Sequence, residues 1–239
     1  MMSYEELANI LRVSTMTMRR DCDELSRVGS IIKVLGGVRK TKCEFSVHEK
    51  ATDERIAATA LAKRAIAREA LSLIKRPLAI FLDGSTTCLA FAKLLDVEHK
   101  NLTIVTHSAQ ICLAMRSGRN NIICAGGEFE PRSLCFVGPQ TESFVQSIFV
   151  DIAFVSATGV ITTEGTFESG PTIFRLKQLA VKQAAEVVLL ADYTKFGRRA
   201  LSKVLDISQI NYVITDAQAS HAEVAILRRT GVDVKLAEH

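Results

Sequence analysis

Apolar and polar residues follow two different patterns along this chain of 239 residues. From residue 51 onward, nearly continuous apolar runs bounded by glycine or polar residues predict strands: LAIFL, LTIVT, NIICA, DIAFVSA, EVVLLA and NYVIT. The stretches between them have helical periodicity, and one alanine-rich helix is predicted from Glu54 to Ile74, with Pro77 behind it. Strand and helix alternation with apolar strands predicts a mostly parallel α/β sheet covered on both faces.

The first 40 or so residues predict a separate, smaller module of two helices and a hairpin. In SYEELANIL, Ser3 and Glu6 have the spacing of a capping box. Ser14 is a suitable N-cap for a second helix that runs to about Val28. IIKVLGGVRK then predicts two short strands around its glycines, the arrangement of a wing. Leu7, Ile10 and Leu11 fall on one face of the first helix, and Met18, Cys22 and Leu25 form the face of the second helix that packs on the rest of the module.

Charge and composition narrow the possible functions. Residues 1–42 carry eight basic and five acidic side chains, so most of the net charge of +4 lies in the small module, which suits a polyanionic partner. No apolar run approaches the roughly 18 to 20 residues of a membrane span, and no basic segment precedes an apolar one at the start. We therefore expect a cytoplasmic protein without membrane function. The six cysteines form no CxxC pair, which disfavours a metal or redox centre.

The exposed face of the second predicted helix has chemistry suited to DNA. At 100° per residue, Met16, Thr17 and Arg20 point away from the packing face. Hydroxyl and arginine side chains near a helix N-terminus are what a recognition helix presents to base edges and phosphates. The alternative is an ordinary solvated helix, because acidic residues at 21, 23 and 24 follow directly.

The segment VSTMTMRRDCDELSRVGSIIKVLGGVRK resembles the helix-turn-helix and wing of the DeoR/GlpR family of bacterial transcriptional regulators. The resemblance implies double-stranded operator DNA as a partner. It implies DNA contacts from Ser14, Thr15, Thr17, Arg19 and Arg20 along the major groove, and from Lys33 and Arg39 to flanking phosphates. Family members begin with a further helix, whereas this sequence starts at Met1, so we expect a partial, N-terminally truncated winged helix-turn-helix.

A second candidate site follows the strand LAIFL. There, residues 83–87 (DGSTT) lead into a helix, and such a loop offers backbone N–H groups, hydroxyls and a helix dipole to a phosphate. The GxxxxGK[ST] spacing is absent, and an ordinary capped turn is the alternative. Other strands also end in polar residues or glycines, at the edge where open α/β sheets bind ligands. These are residues 106–108, 126–128, 158–159 and 192–195.

The segments FLDGSTT, CAGGEFEPRSLCFVGP, DIAFVSATGV and LLADYTKFG resemble the sensor domain of the same family. That domain is related in fold to ribose-5-phosphate isomerase and glucosamine-6-phosphate deaminase. The resemblance implies a phosphorylated sugar as effector, with Asp83 toward sugar hydroxyls, residues 84–87 around the phosphate and Lys195 as a nearby cation. The predicted effector residues are Asp83, Gly84, Ser85, Thr86, Thr87, Thr106, His107, Gly126, Gly127, Gly159 and Lys195.

Together these features predict a DNA-binding repressor of a carbohydrate-utilisation operon, modulated by a phosphorylated sugar. The predicted domains are a DNA-binding module at 1–42, a linker at 43–50 and a sensor at 51–239, and we expect a homo-oligomer, dimer or tetramer. No metal or further cofactor is predicted. Two alternatives stay open: a sugar-phosphate isomerase or deaminase that uses Asp83, Glu128 or Asp192 as a base, and an effector-binding protein that has lost DNA binding.

Overall fold

A computed structural model describes residues 2–27, 31–34, 36–40, 44–46, 52–76, 78–99 and 101–238. The N-terminal module has two helices and a small antiparallel sheet in the order β1-β3-β2. Its elements are β1 (Met2–Ser3), α1 (Tyr4–Leu11), α2 (Thr15–Arg27), β2 (Ile31–Val34) and β3 (Gly37–Lys40). This confirms the predicted helix-turn-helix with a hairpin wing, and adds β1 as a third strand.

Capping and packing fix the two helices of this module. The Glu6 backbone N–H donates to Ser3 Oγ at 3.1 Å, and the Ser3 N–H donates to the Glu6 carboxylate at 2.7 Å, which confirms the capping box. Met18 and Cys22 are buried beside Ala8 and Val38. The predicted packing face of α2 was wrong at Leu25. Leu25 is 44% exposed, and on α1 Ile10 and Leu11 are 65% and 57% exposed.

The larger part of the chain is a seven-stranded parallel sheet in the order β17-β16-β13-β10-β5-β6-β7. Its strands are β5 (Ala79–Leu82), β6 (Thr103–Thr106), β7 (Asn121–Cys124), β10 (Val150–Val155), β13 (Ala184–Leu190), β16 (Tyr212–Asp216) and β17 (Asp233–Ala237). The helices are α3 (Thr52–Ala57), α4 (Ala60–Leu71), α5 (Thr86–Glu98), α6 (Ala109–Ala114), α7 (Pro139–Gln146), α8 (Pro171–Lys182) and α9 (His221–Arg229).

Smaller sheets surround this core. Their strands are β4 (Glu44–Ser46), β8 (Glu128–Glu130), β9 (Cys135–Val137), β11 (Gly159–Ile161), β12 (Gly165–Glu168), β14 (Arg198–Ala200) and β15 (Ser202–Leu205). They pair as β8-β9, β11-β12-β15 and β14-β4. Of these, β4 lies inside the predicted linker yet pairs in parallel with β14, so this described part of the linker is attached to the sensor.

Alternate residues of the central strands point to opposite faces of the sheet, as strand geometry requires. On β5, Ile80 and Leu82 pack in the core that α4, α5 and α6 cover. Phe81, between them, packs on the other face with Val145 of α7 and Leu176 of α8. The two layers of helices confirm the predicted α/β fold class. In the described parts of the chain, no helix is long and apolar enough to cross a membrane.

The prediction of one helix from Glu54 to Ile74 was wrong in one respect, because this segment forms two helices, α3 and α4. Between α3 and α4, Thr59 has φ 53° and ψ 34°, the left-handed conformation that β-branched residues rarely adopt. The break turns the chain over the carboxyl edge of the sheet.

Candidate functional site

The direction in which the chain adds strands to the parallel sheet reverses between β5 and β10. Chain order runs outward from β5 to β6 and β7 on one side, then returns to β10 and runs to β13, β16 and β17 on the other. The loops that follow β5 and β10 therefore leave in opposite directions and open a crevice at their carboxyl ends, where open α/β sheets bind ligands.

A cavity of about 320 Å³ occupies this crevice. Its described wall holds five cationic side chains and two carboxylates. The cations are Arg55, Lys63, Lys177, Lys195 and Arg198, and the carboxylates are Glu168 and Asp192. The rest of the wall is mainly small or hydroxyl-bearing, from residues 84–87 and 156–158. An excess of cations beside backbone and hydroxyl donors favours an anionic, hydroxylated ligand.

The loop after β5 presents the N-terminus of a 13-residue helix to the cavity. Ser85 caps α5, since its Oγ accepts the Cys88 N–H at 3.1 Å. Asp83 Oδ1 accepts the Ser85 N–H at 2.9 Å and holds the turn. Gly84 is required sterically, because a Cβ there would lie 2.2 Å from Cys135 Sγ. The first turn of α5 carries the positive end of the helix dipole, which favours a phosphate.

A buried ion cluster closes the floor of the cavity. Lys177 Nζ lies 3.0 Å from Asp83 Oδ2, forms an ion pair with Glu168, and donates to the Ser156 carbonyl at 2.6 Å. Burial disfavours both charged forms, but mutual attraction outweighs it. The pKa of Asp83 is therefore below its ordinary value and that of Lys177 above it. The Thr158 hydroxyl donates to the Glu168 carboxylate at 2.6 Å and connects the residue ahead of β11 to the same cluster.

The segment between α3 and α4 forms another wall. Lys63 is 5% exposed, and its Nζ donates to the carbonyls of Ala58, at 2.7 Å, and Arg55. Burial, opposed by Asp192 and reinforced by the nearby cations Lys195 and Arg55, lowers the pKa of Lys63 to about 8. A bound anion would reverse this effect, because opposite charge favours the ammonium form.

Five of the predicted effector residues line this cavity: Gly84, Ser85, Thr86, Thr87 and Lys195. Asp83 lies beneath it, with 0% exposure, and its oxygens accept the N–H groups of Ser85 and Ser156. The structure thus places Asp83 against Lys177 instead of toward a ligand.

The other predicted effector residues lie outside the cavity wall. Thr106 is buried, and its Oγ1 accepts the Ser108 N–H at 3.1 Å. The Gly126 carbonyl accepts the Thr141 hydroxyl at 2.8 Å, and Gly127 also packs against Thr141. Gly159 lets β14 approach closely, because a Cβ there would lie 2.4 Å from the Arg198 carbonyl oxygen. These positions shape the sheet edge around the site.

His107 is fully buried under the same loop. Its ring stacks on Phe81 with centroids 5.9 Å apart, and Nε2 lies 3.2 Å from where a Cβ on Gly84 would be. Neither ring nitrogen has a hydrogen-bond partner among the described residues. Burial lowers the pKa of His107 to about 4, so the ring is neutral near pH 7.

Sequence reasoning missed several residues that line the cavity: Arg55, Lys63, Glu168, Lys177 and Arg198. The sequence predicts one continuous helix through Arg55 and Lys63, whereas the structure has a break at Thr59 and both side chains line the cavity. Thr59 Oγ1 donates to Asp192 Oδ2 at 3.1 Å, a contact between residues 133 positions apart in sequence. No local pattern signals such a contact.

A second candidate site is the exposed face of α2. The Thr17 N–H donates to Ser14 Oγ at 3.1 Å, so Ser14 caps the helix as predicted. Thr17, Arg19 and Arg20 are exposed, and Thr15 is half-buried. Hydroxyl and guanidinium groups thus share the N-terminal half of one accessible helix, which is the arrangement that reads a DNA groove.

The remaining predicted DNA contacts lie beside this helix. The guanidinium of Arg19 lies 5.4 Å from the centre of the Tyr4 ring. Lys33 on β2 forms an ion pair with Asp23, and both side chains are about half exposed. Arg39 lies on β3, opposite Ile32, and its side chain is outside the described part of the structure.

Comparisons with known proteins match both parts of the chain. The DeoR-like helix-turn-helix domain matches residues 1–43, and the DeoR C terminal sensor domain matches residues 58–217. The HTH-type transcriptional regulator GolR of Listeria innocua is 33% identical over 236 residues, which are 98% of this chain and 91% of that protein. The L-fucose operon activator of Escherichia coli is 29% identical over 90% of this chain and 88% of its own length. The HTH-type transcriptional regulator GlpR of Haloferax volcanii is 29% identical over 97% of this chain and 90% of its own length.

Solved structures give a weaker likeness. A D-ribose-5-phosphate isomerase in complex with phospho-erythronic acid aligns with 56% of this chain at 20% identity and a TM-score of 0.42. The beta subunit of eIF2B from Chaetomium thermophilum aligns with 71% at 14% identity and a TM-score of 0.49. The chain spans about half the length of these two solved chains, 52% and 53%. The sequence matches, which cover nearly the whole chain, are the stronger comparison.

Proposed function

We propose that this chain, which belongs to the DeoR family of transcriptional regulators, represses a carbohydrate-utilisation operon and releases its operator when a phosphorylated sugar binds. Relatives are named as regulators of sugar operons, including an L-fucose operon activator and a putative aga operon repressor. The chain has both parts that such regulation needs, a DNA-reading module and a ligand cavity.

The observation that carries the effector assignment is the wall of the cavity. The α5 N-terminus, with Gly84 and the hydroxyls of Thr86 and Thr87, is suited to a phosphate, and Lys195 adds positive charge. Glu168, Asp192 and the small polar residues between them supply acceptors for sugar hydroxyls. The volume of about 320 Å³ is at the small end of ligand sites, which suits a single phosphorylated sugar.

DNA binding is assigned to the exposed half of α2. Thr17 and Arg20 are accessible there, and Lys33 lies on the adjacent wing. Helix-turn-helix proteins read two half-sites with two symmetry-related modules. We therefore propose that the protein acts as a homo-oligomer, a dimer or a tetramer, and that effector binding favours an arrangement whose modules no longer match the operator.

We propose that the site binds its ligand without turning it over. An isomerase needs a carboxylate that is free to abstract a proton. Asp83 is occupied by Lys177 and two backbone N–H groups, which keep its pKa low and make it a poor base. Asp192 accepts hydrogen bonds from Thr59 and Thr194, and Glu128 lies outside the cavity wall.

The test is a titration of the full-length protein onto its own upstream DNA, followed by fluorescence anisotropy. It is run with and without a panel of sugar phosphates, and the same compounds are assayed for conversion. We expect specific DNA binding that one sugar phosphate weakens at least about tenfold, a coupling of about 1.4 kcal/mol. Conversion without DNA binding would establish the enzyme alternative, and ligand binding with neither would establish a protein that has lost its operator.

The sign of regulation needs a separate measurement. A reporter fused to the upstream DNA is compared in cells with and without the gene. Repression predicts higher reporter output when the gene is absent, and lower output would show an activator.

A further inference from the structure

Two cysteines meet at one edge of the parallel sheet. Cys124 is the last residue of β7, the strand at one end of the seven-stranded order, and it is exposed. Cys112 lies on α6 and is half-buried. Both are free thiols. They are too far apart in sequence to form a CxxC motif, so the fold alone brings them together.

The backbone places α6 beside the end of β7. Thr106, the last residue of β6, lies opposite Cys124, and the Ala125 N–H donates to the Thr106 carbonyl at 2.8 Å. The chain leaves β6 at this point, and Ser108 caps α6 two residues later. The Cys112 N–H donates to the Ser108 carbonyl at 3.1 Å, so Cys112 lies one helical turn beyond the start of α6. Both cysteines are therefore close to the point where β6, β7 and α6 meet.

Strand alternation places the Cys124 side chain on the face of the sheet that α6 covers. Ile122, two residues before Cys124, packs against the core to which α6 contributes Ile111. Alternate residues of a strand share a face, so Cys124 belongs to the same side of the sheet as α6. On that side the Cys112 thiol interacts with the Cys124 thiol.

The two thiols differ in their access to an oxidant. Cys124 is exposed, and susceptibility to peroxide depends on exposure as well as on thiolate character. Burial, together with the contact to Cys124, raises the pKa of Cys112 to about 12, so Cys112 stays protonated. Cys124 is therefore the thiol that an oxidant reaches first. A second thiol beside an accessible one is the arrangement of redox-sensor cysteines.

A third thiol lies nearby and is inaccessible. Cys135 is 0% exposed, and its Sγ donates to the Ser133 carbonyl at 3.4 Å. It forms an isolated bridge with Ser108, the N-cap of α6, and it also lines the ligand cavity. The start of α6 is thus in contact with the cavity wall, and a bond between α6 and β7 fixes this part of the site.

We infer that Cys112 and Cys124 are a modification site, a dithiol that hydrogen peroxide oxidises to an intramolecular disulfide between α6 and β7. The Cys124 sulfur attacks one peroxide oxygen, the O–O bond breaks, and the departing oxygen leaves as water with the thiol proton. The product is a sulfenic acid. The Cys112 sulfur then attacks the Cys124 sulfur, the S–O bond breaks, and a second water leaves with the Cys112 proton. Two thiols are oxidised and one peroxide is reduced to water. This site goes beyond the proposed function and does not depend on it.

The experiment uses the full-length protein, reduced and then freed of reductant. It is treated with equimolar hydrogen peroxide, blocked with N-ethylmaleimide and digested with trypsin, which cleaves between the two cysteines at Arg116 and Arg119. Mass spectrometry should show two peptides joined through Cys112 and Cys124, and dithiothreitol should separate them. Hydrogen exchange in residues 109–124 should slow at least about tenfold in the oxidised protein, because the bond restricts local opening.

Single variants separate the roles of the two thiols. Cys112→Ser leaves the sulfenic acid on Cys124 without a partner, so dimedone labels Cys124. Cys124→Ser leaves Cys112 as a thiol after the same treatment. The matched control is Cys135→Ser, which removes the neighbouring buried thiol and forms the same disulfide as the wild type. Circular dichroism of each reduced variant shows whether it is folded.

The wild-type peptide map decides the inference even if a variant does not fold. A disulfide between Cys112 and Cys135, or one between two chains, would overturn it. So would oxidation of Cys124 to a sulfinic acid while Cys112 remains a thiol, and so would two unreacted thiols in excess peroxide. DNA and effector binding are measured separately, so each of these results leaves the proposed function standing.

Discussion

Replacing Lys177 with methionine removes the ammonium group that lies between two buried carboxylates. Methionine is similar in length, so the change mainly removes charge. Asp83 is 0% exposed, its Oδ2 lies 3.0 Å from Lys177 Nζ, and Glu168 is 5% exposed. Breaking a buried pair by removing one partner costs about 3–5 kcal/mol, because a buried charge is left uncompensated. Asp83 keeps two backbone N–H bonds, so we expect a loss of about 3 kcal/mol in the free energy of unfolding.

The pH dependence of this loss has a definite sign. In the wild type the pKa of Asp83 is lowered, so its stabilising contribution is present above the unfolded pKa and is lost as the pH falls through the folded pKa. Without Lys177 the burial of Asp83 acts unopposed and raises its pKa. The variant therefore gains stability relative to the wild type on acidification, and the two curves approach each other as the pH falls.

The assay is urea unfolding followed by far-ultraviolet circular dichroism, since the chain has no tryptophan. It is run for the wild type, Lys177→Met and Lys177→Met with Asp83→Asn. The double variant should recover on the order of 1–2 kcal/mol, because it removes one uncompensated charge. A loss below about 1 kcal/mol for the single variant, or one that grows with acidification, would refute the argument for a buried ion cluster.

Three further predictions concern His107, Lys63 and Arg20. Replacing His107 with leucine removes two nitrogens that have no hydrogen-bond partner among the described residues, and it should raise the free energy of unfolding by about 1 kcal/mol near pH 7. Because the folded pKa of His107 is lowered to about 4, the stability of the wild type should also decrease as the pH falls below about 6.5, and the variant should lack this decrease. His221→Leu, at an exposed position, is the control. Effector affinity should decrease as the pH rises above about 8, and calorimetry in two buffers should show proton uptake on binding. Lys63→Arg should remove this dependence. Proton uptake that is the same in Lys63→Arg as in the wild type would contradict the prediction. Arg20→Ala should weaken operator binding and lower the salt slope by about 0.9, whereas Arg229→Ala should change neither.

The sheet was predictable from sequence because its strands are buried on both faces. A strand such as β10, with the sequence VDIAFV, reads as an apolar run wherever helices cover both sides. The loop at Gly84 was predictable for a similar reason, since a glycine followed by hydroxyl residues at a helix start is a local signal. Strand β17, with the sequence DVKLA, alternates polar and apolar residues at the sheet edge and was not predicted.

The break between α3 and α4 could not be predicted, because its cause is distant in sequence. ERIAATALAKRAIAREALSLI has no glycine or proline and favours one helix. The left-handed conformation of Thr59 is held by a hydrogen bond to Asp192, 133 residues away. The role of Lys177 could not be predicted for the same reason. It lies on an amphipathic helix whose polar positions would be predicted to face solvent, whereas the fold places Asp83 and Glu168 beside it. Tertiary contacts determined these parts of the site.

Coupling between the DNA-binding module and the cavity must be reciprocal, because each ligand changes the affinity for the other by the same factor. Effector affinity is measured by calorimetry on the full-length protein, alone and saturated with its operator DNA. If the two sites are coupled, DNA weakens effector binding by the same factor by which the effector weakens DNA binding, at least about tenfold. An effector affinity that is the same with and without DNA would contradict it.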